Sequence, residues 1–338
     1  VRTVDGPPPV HGRQIGFGWV RVEGIPPPSG RGAFNEVATF PDTIYETNEE
    51  PLESIQCYLR NTGQASGKPG ADIDIDGVRS LLEDTRSRPL DVKVAVLDSG
   101  VDRSHPDLAG VLWTNPDEVP GNGTDDDANG YVDDTGGWDL IDDDNDPDDA
   151  YGHGTAIAGV LAAARNDIGI TGVAHNVTVM PIRVCFSGAC PLSAIVEGIA
   201  YALAEGAQVI NLSLGTRTYD PALAEAIAAA ADEGVIVTAA AGNDGTDNEA
   251  FPYFPASLPT PNVVAVTATD RFDALGVFGG AGSNFGSASV DVAAPGVEIT
   301  TTDVGGWSER SGTSFAAPMV AGTVALVRGV RPDAPISE

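Results

Sequence analysis

Residues 92–100 read Val-Lys-Val-Ala-Val-Leu-Asp-Ser-Gly, so a short apolar run ends in an acidic side chain and a turn. Similar runs recur along the chain and alternate with alanine-rich stretches. Apolar runs bounded by turn residues indicate strands buried on both faces, and intervening helices indicate a parallel sheet covered on both sides. The sequence therefore predicts a three-layer α/β fold with a mainly parallel central sheet. The predicted strands are 92–97, 177–184, 208–214, 235–240 and 262–268, and the predicted helices are 153–164, 191–205, 220–232 and 313–328.

Three side chains in this pattern suit acyl-transfer chemistry. Asp98 ends the first strand, whereas His153 and Ser314 open two of the helices within the segments Gly-His-Gly-Thr and Gly-Thr-Ser. A serine hydroxyl is a weak nucleophile at neutral pH, so it needs an imidazole to accept its proton and a carboxylate to orient that imidazole. We therefore predict that Ser314 is a nucleophile, His153 its general base and Asp98 the orienting group.

The order of these residues along the chain narrows the possible families. The order Asp, His, Ser is that of subtilisin, and no Gly-x-Ser-x-Gly surrounds Ser314 as it would in an esterase-type elbow. The chain resembles the subtilisin-like serine proteases (subtilases), whose motifs match five segments in the family's order. These segments are 96–101 (VLDSGV), 105–108 (HPDL), 152–155 (GHGT), 239–243 (AAAGN) and 312–314 (GTS). The resemblance implies a subtilisin-like fold and a secreted serine endopeptidase that cleaves polypeptides through an acyl-enzyme.

The resemblance also assigns a role to Asn243. Within Gly-Asn-Asp-Gly this residue fits a turn, which is where asparagine is common. However, segment 240–243 matches the family's oxyanion segment, so the resemblance implies that Asn243 donates to the oxyanion together with the backbone N–H of Ser314.

The substrate-binding residues are likewise expected from the resemblance. Ser213, Leu214 and Gly215 match the family's strand that pairs with an extended substrate, and Ala241 and Gly242 match the opposite wall of the specificity pocket. Small residues in the walls leave room for a large side chain. We therefore expect cleavage after apolar or aromatic residues, unless Tyr253 shortens the pocket.

The charge of the chain limits its partners. There are 49 acidic and 18 basic residues, which give a formal net charge of −31. Such a surface repels nucleic acids and anionic membranes and attracts cations, and high salt or codon bias would each account for it. No uninterrupted apolar stretch of 18 residues occurs, so we expect no membrane-spanning segment. We also expect a monomer.

One segment carries much of the negative charge. Residues 117–149 contain fourteen acidic residues and neither lysine nor arginine. Part of this segment follows an EF-hand-type pattern, in which oxygen ligands alternate around a glycine, and this pattern favours Ca²⁺. The pattern has Gly136 where the bidentate glutamate would stand, so Asp134 or a residue within 142–149 is expected to substitute. The alternative is a solvated acidic insertion. The predicted ligands are Asp125, Asp127, Asn129, Tyr131, Asp133 and Asp134.

Two further expectations concern cysteines and domain limits. Cys185 and Cys190 are close enough for a small disulfide loop in an oxidising compartment, the alternative being two packed thiols. Residues 1–49 are rich in proline and predict an irregular extension or the remnant of a pro-segment. Residues 50–338 are expected to form the catalytic domain, with an incomplete C-terminal end. The alternative to an enzyme is a catalytically silent scaffold of the same fold or an inactive fragment.

Overall fold

A seven-stranded parallel sheet forms the centre of the computed structural model, which describes residues 50–78 and 90–335. The strands are β1 Val92–Asp98, β2 Trp138–Asp139, β3 Val177–Arg183, β4 Val209–Leu212, β5 Ile236–Ala240, β6 Val263–Thr269, β7 Val292–Pro295, β8 Ile299–Asp303 and β9 Gly306–Arg310. The longer helices are α1 His153–Ala162, α2 Leu192–Ala204, α3 Pro221–Asp232 and α4 Thr313–Val330. The predicted three-layer α/β fold is confirmed. The predicted extension 1–49 lies outside the described residues.

The sheet has the order β2-β3-β1-β4-β5-β6-β7, and its neighbouring strands run parallel. Residues 94–98 of β1 are buried, as expected for a central strand covered on both faces. Because all strands of the sheet point the same way, their carboxyl ends share one edge. Asp98 at the end of β1 lies in register with Arg183 at the end of β3.

Helices α1 and α4 pack on one face of the sheet, and α2 and α3 pack on the other. Small residues let α4 approach both the sheet and α1 closely, since Ala317, Ala321 and Gly322 are all buried. A Cβ atom added at Gly322 would lie only 2.9 Å from Val173. The alanine-rich sequence of α4 is therefore a packing requirement of the core.

By length and hydropathy alone, α4 meets the criteria for a membrane span, with a mean hydropathy of 1.3 over 18 residues. In the structure, 61% of that window is buried against the rest of the domain. A core helix of a folded domain satisfies the same criteria, and its burial here identifies α4 as such a helix.

The antiparallel hairpin of β8 and β9 was not predicted from the sequence. Its first strand contains three threonines and lacks an apolar run, so the pattern that identifies the other strands is missing. The hydroxyls of Thr301 and Thr302 donate to the backbone carbonyls of Ala156 and Thr155 at 2.7 and 2.6 Å. The hairpin thus packs against α1 through polar contacts.

Two of the three cysteines form a disulfide. Cys185 and Cys190 form a disulfide, which confirms the first of the two alternatives. Cys57 is buried in the core and is outside this pair.

Candidate active site

The first two predicted catalytic residues meet where β1 ends and α1 begins. Asp98 Oδ1 lies 2.7 Å from His153 Nδ1. The Asp98 side chain is 4% exposed, whereas that of His153 is 24% exposed. The imidazole is therefore held from its buried side and keeps an accessible side. This is the arrangement of an oriented general base.

The environment of His153 raises its pKa above the usual value. Burial acts in the opposite direction and lowers the pKa of the imidazole, but the negative charge of Asp98 and its hydrogen bond raise it by more. Asp149 raises the pKa further, and Arg310 lowers it. The ion pair with Asp98 thus stabilises the imidazolium, which is the form that a general base must reach.

The start of α1 is positioned by a buried carboxylate that the sequence did not single out. Asp149 is 1% exposed. It accepts hydrogen bonds from the backbone N–H groups of Gly152 at 2.8 Å and Thr155 at 2.9 Å, and from the Ser99 hydroxyl at 2.9 Å. Ser99 in turn accepts from the N–H of Gly154 at 3.0 Å. Ser99, which stands beside Asp98 in the chain, therefore has a structural role.

Ser314 lies in the first turn of α4, beside the same imidazole. The ring of the next residue, Phe315, lies 5.6 Å from the His153 ring, measured between centroids. The Ser314 hydroxyl donates to the carbonyl of Ser213 at 3.2 Å, and the Ser213 hydroxyl donates to the carbonyl of Ser314 at 2.7 Å. Within residues 50–78 and 90–335, no hydrogen bond joins Ser314 to His153. Catalytic hydrogen bonds often shorten only when substrate binds.

Asn243 is fixed on the other side of Ser314. Its Oδ1 accepts from the N–H of Thr313 at 2.9 Å and from the Thr313 hydroxyl at 2.8 Å. This pair of bonds sets the orientation of the amide and leaves Nδ2 as the end that can donate to a ligand. Asn243 is exposed, so its amide is accessible to a ligand. Thr313 is a second positioning residue that the sequence did not reveal.

The predicted substrate-binding residues follow two neighbouring strands. Ser213, Leu214 and Gly215 continue from β4, and Ala241 and Gly242 continue from β5. Because β4 and β5 are adjacent and parallel, both segments leave the same edge of the sheet. The end of β1, where Asp98 lies, is at that edge as well, since β1 pairs with β4.

The acidic segment contains a compact carboxylate group. Glu118, Asp125 and Asp127 each offer an oxygen within 4.8 Å of the others. Glu118 is only 6% exposed, and its Oε2 lacks a hydrogen-bond partner among the residues that the structure describes. Asp125 and Asp127 were predicted as ligands, whereas Glu118 was not. Glu118 lies upstream of the loop pattern, outside the positions from which the substitute ligand was expected, which are Asp134 and residues 142–149.

The other predicted ligands make protein contacts nearby. The Asn129 amide donates to Asp134 and Glu205 at 3.0 Å each, and Tyr131 donates from its N–H to the Asn129 side chain at 2.7 Å. Asp133 accepts from the backbone of residues 122 and 123. These side chains therefore fold the loop around the carboxylate group.

The chain is similar to known proteins over most of its described length. A profile of the Subtilase family matches residues 90–337. The chain is 40% identical over 238 residues to a thermophilic serine proteinase of Bacillus sp. (strain AK1) and 38% identical over 238 residues to thermitase of Thermoactinomyces vulgaris. Each match covers 70% of this chain, but 51% of the first relative and 74% of the second.

A solved structure agrees with these sequence matches. The chain superposes on a cold-adapted subtilisin-like serine proteinase with a TM-score of 0.57 and 31% identity, over 73% of this chain and 78% of that one. The fold, the family profile and the sequence relatives point to one assignment. The chain belongs to the subtilase family of serine peptidases.

Proposed function

We propose that this chain is the catalytic domain of a serine endopeptidase that hydrolyses polypeptides through Asp98, His153 and Ser314. The observation that carries the proposal is the 2.7 Å contact between the buried Asp98 carboxylate and His153, at the start of a helix that lies beside Ser314. Asn243 and the backbone N–H of Ser314 would complete the site as oxyanion donors.

The mechanism follows from these positions. When a peptide occupies the cleft, the Ser314 hydroxyl turns from the Ser213 carbonyl to His153 Nε2 and transfers its proton as Oγ attacks the carbonyl carbon. Asn243 Nδ2 and the Ser314 N–H stabilise the oxyanion of the tetrahedral intermediate. The imidazolium gives its proton to the leaving amine, and an acyl-enzyme remains. Water, deprotonated by His153, then releases the acid and restores Ser314.

Hydrolysis of casein by wild type and variants tests this proposal. Ser314→Ala is expected to lower kcat by roughly 10⁶, because the nucleophile and its base act as one unit. Ser287→Ala serves as the matched control, since Ser287 is an exposed serine. Cleavage by Ser314→Ala at the wild-type rate would contradict the proposal.

We also propose that the acidic segment binds one structural Ca²⁺ through Glu118, Asp125 and Asp127. The buried Oε2 of Glu118 supports a cation there, because an ionised oxygen without a donor is costly in the interior. Carboxylate oxygens are the ligands that Ca²⁺ prefers. The ion would neutralise part of the charge of this segment, which continues along the chain to the start of α1.

A thermal unfolding experiment tests the calcium proposal. At a Ca²⁺ concentration of 100 times Kd, binding stabilises the folded state by about 2.7 kcal/mol, which is worth several degrees in Tm. Chelation is therefore expected to lower Tm, and Glu118→Gln is expected to remove most of that difference. Glu249→Gln, an exposed control, should retain it. An equal chelator effect in wild type and Glu118→Gln would exclude Glu118 as a ligand.

The cellular setting is part of the same proposal. We propose that the enzyme works outside the cell on polypeptide substrates, and the Cys185–Cys190 disulfide supports an oxidising compartment. The net charge of −31 argues against nucleic-acid partners. A pro-segment, a monomeric state and the lack of membrane association stay predictions.

A further inference from the structure

The cleft beside Ser314 contains an aromatic side chain that the mechanism does not use. Tyr253 follows β5 in the chain and lies between the two segments that flank the nucleophile. A Cβ atom added at Gly215 would overlap the Tyr253 ring, and one added at Gly242 would lie 3.1 Å from Cδ1 of the same ring. The Cδ1–Cε1 edge of the Tyr253 ring therefore lies against both glycines, and the Asn284 side chain also lies against Gly242.

This position is where a substrate side chain would enter. Ser213 is joined to Ser314 by reciprocal hydrogen bonds, so the wall that ends at Gly215 starts at the nucleophile. The other wall ends at Gly242, next to Asn243, which would hold the carbonyl oxygen. The residue that supplies the scissile carbonyl must then direct its side chain between these walls, toward Tyr253.

The tyrosine ring is held in place from several sides. Its hydroxyl donates to the carbonyl of Gly215 at 3.1 Å. The backbone next to it is fixed, because Thr216 and Phe254 exchange hydrogen bonds of 2.8 and 2.7 Å. The ring is also covered by the guanidinium of Arg217, whose carbon lies 5.7 Å from the ring centroid.

Arg217 is itself held by three polar contacts. Its guanidinium forms an ion pair with Asp244 at 2.6 Å and donates to the Thr246 hydroxyl at 2.6 Å and the Phe251 carbonyl at 2.7 Å. Moving the ring out of the cleft would break the bond to Gly215 and the stacking on Arg217. A large substrate side chain would have to displace a braced group.

We infer that Tyr253 determines specificity by shortening the primary pocket, so that the enzyme cleaves after small residues such as alanine and discriminates against aromatic ones. This inference rests on the proposed function. It reverses the expectation of cleavage after large residues that the small wall residues suggest, because the space that the glycines leave is filled by the enzyme's own side chain.

Two peptide substrates that differ in one residue test the inference. Succinyl-Ala-Ala-Pro-Ala-p-nitroanilide is expected to be cleaved by wild type with a kcat/KM at least tenfold above that of the Phe analogue, a ratio within the range that pocket fit supplies. Tyr253→Ala should raise the ratio of kcat/KM for the Phe substrate to that for the Ala substrate by roughly tenfold or more.

Two further variants test whether the bulk of the Tyr253 ring causes the preference for alanine. Tyr253→Phe keeps the ring and is expected to keep the preference for alanine. Tyr219→Ala removes an exposed tyrosine that packs on Phe254 outside the two walls, and it should leave the ratio unchanged. If Tyr253→Ala fails to fold, the ratio of kcat/KM for the Ala and Phe substrates in wild type still tests the inference.

The outcomes distinguish this inference from the proposed function. A wild-type preference for the Phe substrate, or an unchanged ratio in folded Tyr253→Ala, overturns the inference while the peptidase function stands. If wild type cleaves neither peptide and a simple fluorophosphonate fails to label Ser314, the proposed function is contradicted and the inference falls with it.

Discussion

At the scale of single residues, the site depends on side chains that fix other side chains. Asp98 holds His153, Thr313 holds the amide of Asn243, and Ser213 is hydrogen-bonded to Ser314 in both directions. His153 and Asn243 are therefore oriented before substrate binds, whereas the Ser314 hydroxyl must turn from Ser213 to His153. Such preorganisation lowers the cost of reaching the transition state, because the donors already point to where charge develops.

The orientation of Asn243 leads to a prediction about kcat. Asn243→Ala removes the Nδ2 donor and is expected to lower kcat by roughly 10²–10³ with little change in KM, since an oxyanion forms only along the reaction path. Steady-state kinetics on a peptide substrate measure both constants. An unchanged kcat would reject the oxyanion role.

The raised pKa of His153 leads to a prediction about pH. The general base must be neutral, so kcat/KM is expected to fall as pH drops below the pKa of His153. Asp98→Asn removes the negative charge that raises this pKa. The acid limb should therefore move to lower pH, while the rate falls by about 10⁴. The pH profiles of wild type and Asp98→Asn check this shift, and a limb that moves to higher pH would contradict it.

Some residues of the site could be predicted from the sequence and others could not. Asp98, His153 and Ser314 follow turn and glycine signals that mark strand and helix ends. Glu118 and Asp149 stand among many acidic residues with no local signal. Only their contacts in the fold distinguish them, since Glu118 lies beside Asp125 and Asp127, and Asp149 accepts hydrogen bonds from the start of α1. Thr313 forms its bond to Asn243 across a separation of 70 residues, which no local pattern encodes.

At the level of secondary structure, the candidate active site depends on the start of α1, which lies directly against the end of β1. Gly154 makes this approach possible. A Cβ atom there would overlap the carbonyl oxygen of Gly100 and lie 3.0 Å from Cβ of Asp98. The 2.7 Å contact between Asp98 and His153 thus depends on the absence of a side chain at Gly154.

Gly154→Ala tests this close packing. The added methyl group is expected to push α1 away from β1, to cost about 1–3 kcal/mol in stability and to reduce kcat/KM by up to about 10²-fold through misplacement of His153. Gly306→Ala is the control, because a Cβ at Gly306 meets nothing within 4 Å. Thermal unfolding and peptide hydrolysis measure both effects. Wild-type activity in Gly154→Ala would show that the contact is not required.

The elements that the sequence predicts share one physical property. The predicted strands carry apolar runs and the predicted helices are rich in alanine, and each has a counterpart in the structure. The two-residue β2 and the four-residue β7 are too short to give a pattern, and the hairpin of β8 and β9 is held by threonine hydroxyls. Hydrophobic periodicity in the sequence does not indicate elements that are stabilised by polar or tertiary contacts.

At the scale of the whole molecule, the parallel sheet gathers residues that lie far apart in the chain. The segments after β1, β4 and β5 leave one edge of the sheet, and α1 and α4 begin there. Asp98, His153, Asn243 and Ser314 therefore converge without any two being neighbours in sequence. The family and the architecture were predictable for this reason, since the motifs mark the strand ends. The contacts that hold the Tyr253 ring, with Gly215 and Arg217, could not be predicted from the sequence.

If Ser314 is a nucleophile activated by His153 and Asp98, it must react with a serine-hydrolase inhibitor. Labelling of the folded protein with a fluorophosphonate, with the modified peptide located by mass spectrometry, measures this reactivity. We expect an adduct on Ser314 in wild type, none at that position in Ser314→Ala, and much slower labelling in His153→Ala. An adduct on another serine, or no adduct on folded wild-type protein, would contradict it.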